Sequence, residues 1–233
     1  MNDFNTAADQ QVSDQQVSEK PSFADTLLAA AIKYRNLLIG GVVLCMIIAG
    51  GTWFWIQKTQ ADEQKASLAL SRVIPYMQTG DLEKAISGAT GSEGLKAIAE
   101  HYGSTPSGNM AKLYLGAIYL STNKPDAARV MYESFSHKNK DLMAAALAGS
   151  ASCLTEKKQF AEAADGYEKA SSSASNEALR SAYLVRAAET RLAAGQPDKA
   201  KKMYDDIIKQ FPGSPSAGFA QRAQLRLSGS EQP

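Results

Sequence analysis

Apolar residues are distributed very unevenly along this chain. From Leu37 to Ile56 it runs LLIGGVVLCMIIAGGTWFWI, 20 residues without a charge. At 1.5 Å per residue such a helix is about 30 Å long, the thickness of a bilayer's hydrocarbon core. Lys33 and Arg35 flank it on one side and Gln57 and Lys58 on the other. Trp53 and Trp55 sit at one end and Tyr34 just outside the other, where amphipathic rings settle among headgroups. Gly40, Gly41, Gly50 and Gly51 would weaken a helix in water but are common in spanning ones. The pattern predicts a transmembrane helix over 37–56 rather than the buried helix of a soluble protein. The polar stretch before it, the length of the run and the lack of a small-x-small cleavage site favour an uncleaved signal anchor. Cys45 follows the bulky Leu44 in mid-span, which does not suit a lipoprotein signal.

Residues 1–20 hold a near-duplicate, QQVSD at 10–14 and QQVSE at 15–19, and their composition predicts a disordered polar tail. Residues 21–36 read as a juxtamembrane helix, with Ser22 and Asp25 spaced as a capping box. Phe23, Leu27, Ala31 and Tyr34 share one face, which fits either a helix lying on the membrane surface or an extension of the spanning helix.

Beyond Lys58 apolar residues recur at three and four, the helical period, without sustained strand alternation. Three segments of this part align with one another: Lys124-Pro-Asp-Ala-Ala128-x3-Tyr132, Gln159-Phe-Ala-Glu-Ala163-x3-Tyr167 and Gln196-Pro-Asp-Lys-Ala200-x3-Tyr204. Their final alanines are 35 and 37 residues apart. Two more segments match each other, Tyr102-Gly-Ser-Thr-Pro-Ser107-x3-Ala111 and Phe211-Pro-Gly-Ser-Pro-Ser216-x3-Ala220. These motifs resemble the tetratricopeptide repeat, a helix–turn–helix unit of about 34 residues. Leu115-Gly116-x2-Tyr119, Ala128 and Tyr132 fall on that family's packing positions in the first unit. Ala151, Leu154, Ala163, Tyr167 and Ala170 do so in the second, and Ala187, Ala188, Ala200, Tyr204 and Pro212 in the third. Tryptophan is missing from the first helices, and Arg191 stands where an aromatic is expected.

The resulting expectation is an all-α fold, a single transmembrane helix followed by a helical-repeat solenoid. A connecting helix and degenerate capping repeat occupy 57–106, with Ala61–Met77 and the segment from Thr79 to Ile86 as its two halves. Three repeats and a closing helix fill 107–227, with Gln221, Arg222, Gln224 and Arg226 on a solvated outer face, and 228–233 is a flexible end.

Charge adds little: 25 basic residues oppose 24 acidic ones, and a net +1 gives no sign of a nucleic-acid binder. Two cysteines and two histidines, none adjacent, leave no ligand set for a metal, and Cys45 and Cys153 cannot pair within one chain. His101 and His137 stand at helix ends without a nucleophile or carboxylate arrangement. Gly88-x2-Gly91-x2-Gly94 lacks the Lys-Ser/Thr ending of a phosphate loop and reads as a flexible turn. Cys153 reads as a buried small hydrophobe. No catalytic residue, metal, cofactor or small-molecule substrate is expected.

By the family's pattern the first helix of each pair lines a concave surface. That maps a partner-binding groove onto Met110, Leu113, Ala117 and Leu120, then Ala148, Ser152 and Thr155, then Val185, Glu189 and Leu192. The groove is small and apolar and suits an extended or helical chain; the same side chains equally suit packing on the next helix. The lysine, asparagine and arginine of carboxylate-gripping tetratricopeptide domains are not at these positions. In the span, Gly41, Cys45 and Ala49 form a small-xxx-small face for another helix.

The order of tail, span and repeats, with the run GLKAIAEHYGSTPSGNMAKLYLGAIYL over 94–120, resembles the ancillary subunit family of the bacterial Sec translocon. That resemblance implies a single-pass inner-membrane protein, its N-terminus cytoplasmic and its repeats periplasmic. Its implied partners are translocon subunits, a membrane-anchored periplasmic chaperone of the prolyl-isomerase class, and emerging polypeptides. The alternative is a scaffold for envelope assembly or cell division. The flanking charges, Lys33 and Arg35 against Lys58 and Lys65, are nearly balanced and do not set the orientation.

Overall fold

A computed structural model of the chain describes residues 32–230. The expected polar tail at 1–20, the capping box of Ser22 and Asp25, and the end of the chain from 231 lie outside the described residues. The chain divides into two compact units, the first ending at Trp55 and the second beginning at Ile56.

Helix α1, Arg35–Gln78, begins in the first unit. Between Leu37 and Trp55 every described side chain is exposed, although nearly all are apolar. This part of α1, with a mean hydropathy of 2.2, is long and apolar enough to cross a membrane. The Thr52 hydroxyl donates to the carbonyls of Ile48 and Ala49, both at 2.9 Å, so its polar group is satisfied inside the helix, as an apolar surrounding requires.

The second unit contains the rest of α1, then α2 (Leu82–Ser87), a hairpin of β1 (Gly88–Ala89) and β2 (Ser92–Glu93), and α3 (Leu95–His101). Three helix pairs follow: α4 (Pro106–Ser121) with α5 (Pro125–Glu133), α6 (Lys140–Glu156) with α7 (Phe160–Ser173), and α8 (Glu177–Ala193) with α9 (Pro197–Gln210). Helix α10, Pro215–Ser230, closes the array. The fold is the all-α repeat solenoid that the sequence predicts. The glycine triplet is more ordered than a flexible turn: Gly88 pairs with Glu93 and Ala89 with Ser92 across an antiparallel ladder. Gly88 has φ +89°, and a Cβ there would come within 2.7 Å of the Gly94 nitrogen, so the close crossing tolerates no side chain.

The same turn joins the two helices of every pair. After α4, the Lys124 N–H donates to the Tyr119 carbonyl (2.8 Å) and the Asn123 N–H to that of Leu120 (3.1 Å). After α6 the bonds run from Gln159 to Leu154 and Lys158 to Thr155, and after α8 from Gln196 to Arg191 and Gly195 to Leu192. These are Schellman motifs, which need a left-handed residue just past the helix. Asn123 (φ 56°), Lys158 (φ 59°) and Gly195 (φ 71°) occupy that place. The α1–α2 junction closes identically, with Asp81 bonded to Tyr76 and Gly80 to Met77. Lys158 has a side chain where glycine has none to crowd the backbone. Lys158→Gly is therefore expected to raise the urea midpoint, corresponding to about 0.5 kcal/mol of added stability.

The two matched serine-rich segments also share a device. Thr105 Oγ1 accepts from the Gly108 N–H at 3.1 Å before α4, and Ser214 Oγ from the Ala217 N–H at 3.0 Å before α10. Proline follows each cap, at Pro106 and Pro215, where no N–H is needed.

The core forms four clusters in sequence order. The first gathers Leu70, Val73, Leu95, Ile98 and Leu115, and the second Ala128, Tyr132, Phe135, Ala146 and Cys153. The third holds Ala151, Tyr167 and Ala187, and the fourth Ala188, Tyr204, Ile207, Phe211 and Ala220. Met110 packs on the first and the second, and Met203 on the third and the fourth. The Tyr132 ring lies between Gly116 and Gly149: a Cβ at Gly116 would sit 2.7 Å from its Cε1, and one at Gly149 would overlap its Cζ. Polar ties join one pair to the next. Glu63 of α1 accepts from the Ser107 N–H (2.9 Å) and hydroxyl (2.7 Å) at the start of α4, where the helix dipole favours a carboxylate. Asn109 Oδ1 accepts from the Ser136 N–H (3.0 Å), and Asp141 Oδ1 from the N–H groups of Ser175 (2.7 Å) and Asn176 (2.9 Å).

Candidate partner-binding surface

All ten expected groove residues lie on the first helices of the pairs, α4, α6 and α8. Met110, Leu113 and Leu120 are half-buried and pack against the second core cluster. Ala117 is exposed. On α6, Ala148 is buried; the half-buried Ser152 shares a hydrogen bond of 2.8 Å with Tyr167 Oη and donates to the Ala148 carbonyl. Thr155 is half-buried and its hydroxyl donates to the Ala151 carbonyl at 3.2 Å. Val185 and Leu192 of α8 pack on the fourth cluster, while Glu189 is exposed. Helix–helix packing therefore engages most of these side chains, and Ala117 and Glu189 are the ones turned to solvent.

Glu189 and Leu192 come together at one cavity of about 210 Å³, with Tyr204 of α9 and Phe219, Ala223, Arg226 and Leu227 of α10. The Tyr204 and Phe219 rings are tilted, with centroids 6.4 Å apart, and the Arg226 guanidinium sits 5.8 Å above the Phe219 ring. Burial, and after it the Glu189 carboxylate, holds the Tyr204 phenol above its ordinary pKa, while Arg226 acts in the opposite sense. No α10 residue is among the expected groove positions. The available signal was Phe219 and Arg226, seven apart and hence on one helical face. Gln224, read as solvated, is half-buried and donates to Asp205 Oδ1 of α9 at 2.7 Å.

In the first unit, Gly41, Cys45 and Ala49 line one shallow apolar groove with Leu37, Val42 and Met46. The small residues make the hollow, and the larger ones its rims.

The remaining chemical candidates are engaged locally. His101 Nδ1 lies 3.4 Å from Glu93 Oε1, and His137 Nδ1 accepts from the Asn139 N–H at 3.0 Å. Cys153 is buried; its thiol donates to the Gly149 carbonyl, and burial pushes its pKa up to about 11. Among the described residues no group of three or more His, Cys, Asp or Glu side chains could hold a metal ion. Burial likewise pushes the Tyr132 phenol up to about 12. The fold thus favours its neutral form, so its contribution is intact below the ordinary phenol value near 10 and lost as the pH rises toward 12. Between pH 10 and pH 12 the chain is expected to lose about 2 kcal/mol on this account. Urea titrations at the two pH values should show that loss in the parent and not in Tyr132→Phe.

Comparison with protein families finds two matches. A family described as "Tetratricopeptide repeat-like domain" matches residues 32–163, and one described as "Tetratricopeptide repeat" matches residues 182–214. The first match starts just ahead of the apolar segment, well before residue 107, where the sequence motifs alone place the first repeat. Neither the curated proteins nor the solved structures provide a match.

Proposed function

Because this chain belongs to the tetratricopeptide repeat-like domain family, we propose that it is a membrane-tethered protein-interaction module ancillary to the bacterial Sec translocon. It links the translocon to a membrane-anchored periplasmic chaperone or to emerging chains. The carrying observation is the combination, in one chain, of a helix long and apolar enough to cross a membrane with a helix-pair array. Such arrays offer extended surfaces for polypeptides. The run at 94–120, which holds the hairpin-to-α4 connection, supports the translocon family in particular through its resemblance. On this reading 37–56 is a single-pass inner-membrane anchor, with the N-terminus cytoplasmic and the array periplasmic. Gly41, Cys45 and Ala49 pack against a neighbouring spanning helix. The partner lies along Met110, Leu113, Ala117 and Leu120, then Ser152 and Thr155, then Val185, Glu189 and Leu192.

The test is crosslinked co-purification in mild detergent through a C-terminal tag, with protease access measured on spheroplasts of the same cells. A protease-accessible array that brings down translocon subunits and a periplasmic chaperone supports the proposal. An array that brings down envelope-assembly or division proteins instead replaces it with the scaffold reading. A protected, cytoplasmic array sinks the orientation and the translocon role together.

A further inference from the structure

We propose that the cavity closed by α10 is an anchor pocket for one large apolar side chain on an uncharged segment of the partner polypeptide. The proposal rests on the reading of the array as a protein-interaction module and names what that surface recognises.

Size sets the first limit. A cavity of roughly 150 Å³ holds a benzene molecule, so about 210 Å³ between α8, α9 and α10 accommodates a phenylalanine or leucine side chain but not a folded element. Leu192, Phe219 and Ala223 give it apolar walls.

The polar groups set the second limit. Glu189 is acceptor-only as a carboxylate, Arg226 is donor-only, and a tyrosine hydroxyl can do either. Tyr204 is 1% exposed as a whole residue and lines the cavity beside Glu189 and Arg226. Glu189, Arg226 and this phenol line the same cavity, and the two charges act on the phenol in opposite senses. A peptide unit has one N–H and one C=O, and this trio offers a complement to each. A ligand carboxylate or phosphate would meet Glu189, and an ammonium would meet Arg226, so neither sign of charge is favoured. What fits is the neutral backbone of an extended chain with a single aliphatic or aromatic side chain lodged between the helices.

The test uses the full chain in lipid nanodiscs, with empty nanodiscs as the blank. The probes are dye-labelled Gly/Ser decapeptides carrying one central Phe, Leu, Ser, Asp or Lys, and binding is read by fluorescence anisotropy. The Phe and Leu peptides are expected to bind at least about tenfold more tightly than the Ser peptide, the scale of burying one apolar side chain. The Asp and Lys peptides should do no better than Ser. Ala223→Leu, which fills the cavity, should abolish the preference. Glu189→Lys, at an exposed rim position that leaves the core untouched, should bring the Asp peptide up toward the Phe peptide. Equal binding of all five peptides, or a Phe preference that survives Ala223→Leu, overturns the pocket. So does concentration-dependent self-association that the Phe peptide displaces, since the occupant is then a second copy. Co-purification from the same variants separates the two readings. Partners retained without any peptide preference overturn the pocket alone, whereas peptide preference without translocon partners overturns the translocon role alone.

Discussion

Gly149→Val is expected to lower the stability of the full chain by about 3 kcal/mol, the upper end for forcing volume into a packed core. The cause is a single ring. Tyr132 of α5 is 8% exposed and is held between Gly116 of its own pair and Gly149 of the next. Any side chain at Gly149 lands on the ring carbons, and α6 cannot retreat without opening the cluster that includes Phe135, Ala146 and Cys153. Gly149→Ala is the milder version. It gains about 1 kcal/mol of helix propensity, which offsets part of the clash, so its net loss should be smaller than that of valine. The decisive measurement is a double-mutant cycle in urea. If the ring is the obstacle, Gly149→Val should cost far less in a Tyr132→Ala background than in the parent. Additive losses in the two backgrounds would show that the ring is not responsible.

Arg191→Met is expected to cost about 2 kcal/mol. The Arg191 side chain is 9% exposed and reaches back from α8 to α7, where it donates to Asp165 and to Glu168 Oε1 (2.6 Å). It also donates to Gln196 Oε1 (3.3 Å) and to the Ala161 carbonyl (3.5 Å). Removing one partner of a fully buried ion pair costs roughly 3–5 kcal/mol, because the other charge is left stranded. Here the carboxylates of Asp165 and Glu168 are 59% and 42% exposed, so water takes over their solvation and the loss falls toward that of hydrogen bonds to charged groups. Hydrogen exchange should show the opening in α7 and α8, with α4 and α5 unchanged. Uniform exchange along the whole array would contradict this local role.

These two sites also show where sequence reasoning reaches and where it stops. Tyr132, Tyr167 and Tyr204 were legible because each follows an alanine by four residues in a repeating motif. The fold class followed from that period. Gly149 was not legible, since its need for no side chain comes from a ring 17 positions away on another helix. Arg191 was visible only as a departure from an aromatic position; its partners on α7 come into reach only after the pairs stack. Asn123 and Lys158 adopt left-handed backbone without the glycine that usually announces it. Glu63 and Ser107 are 44 residues apart, and nothing in either neighbourhood points to the other. The groove residues were assigned to their helices by periodicity. Which of them a neighbouring helix covers depends on the packing, which leaves Ala117 and Glu189 exposed but engages Ser152 with Tyr167.

Met110 and Met203 straddle the boundaries between successive core clusters. Methionine is unbranched and adaptable, so at these two seams the filling slides where a branched side chain would lock. These two seams are therefore where the array is expected to bend first, like the softer coils of a spring. Oxidation of either thioether to the polar sulfoxide would change that compliance at its seam and leave the turns and caps of the neighbouring coils as they were.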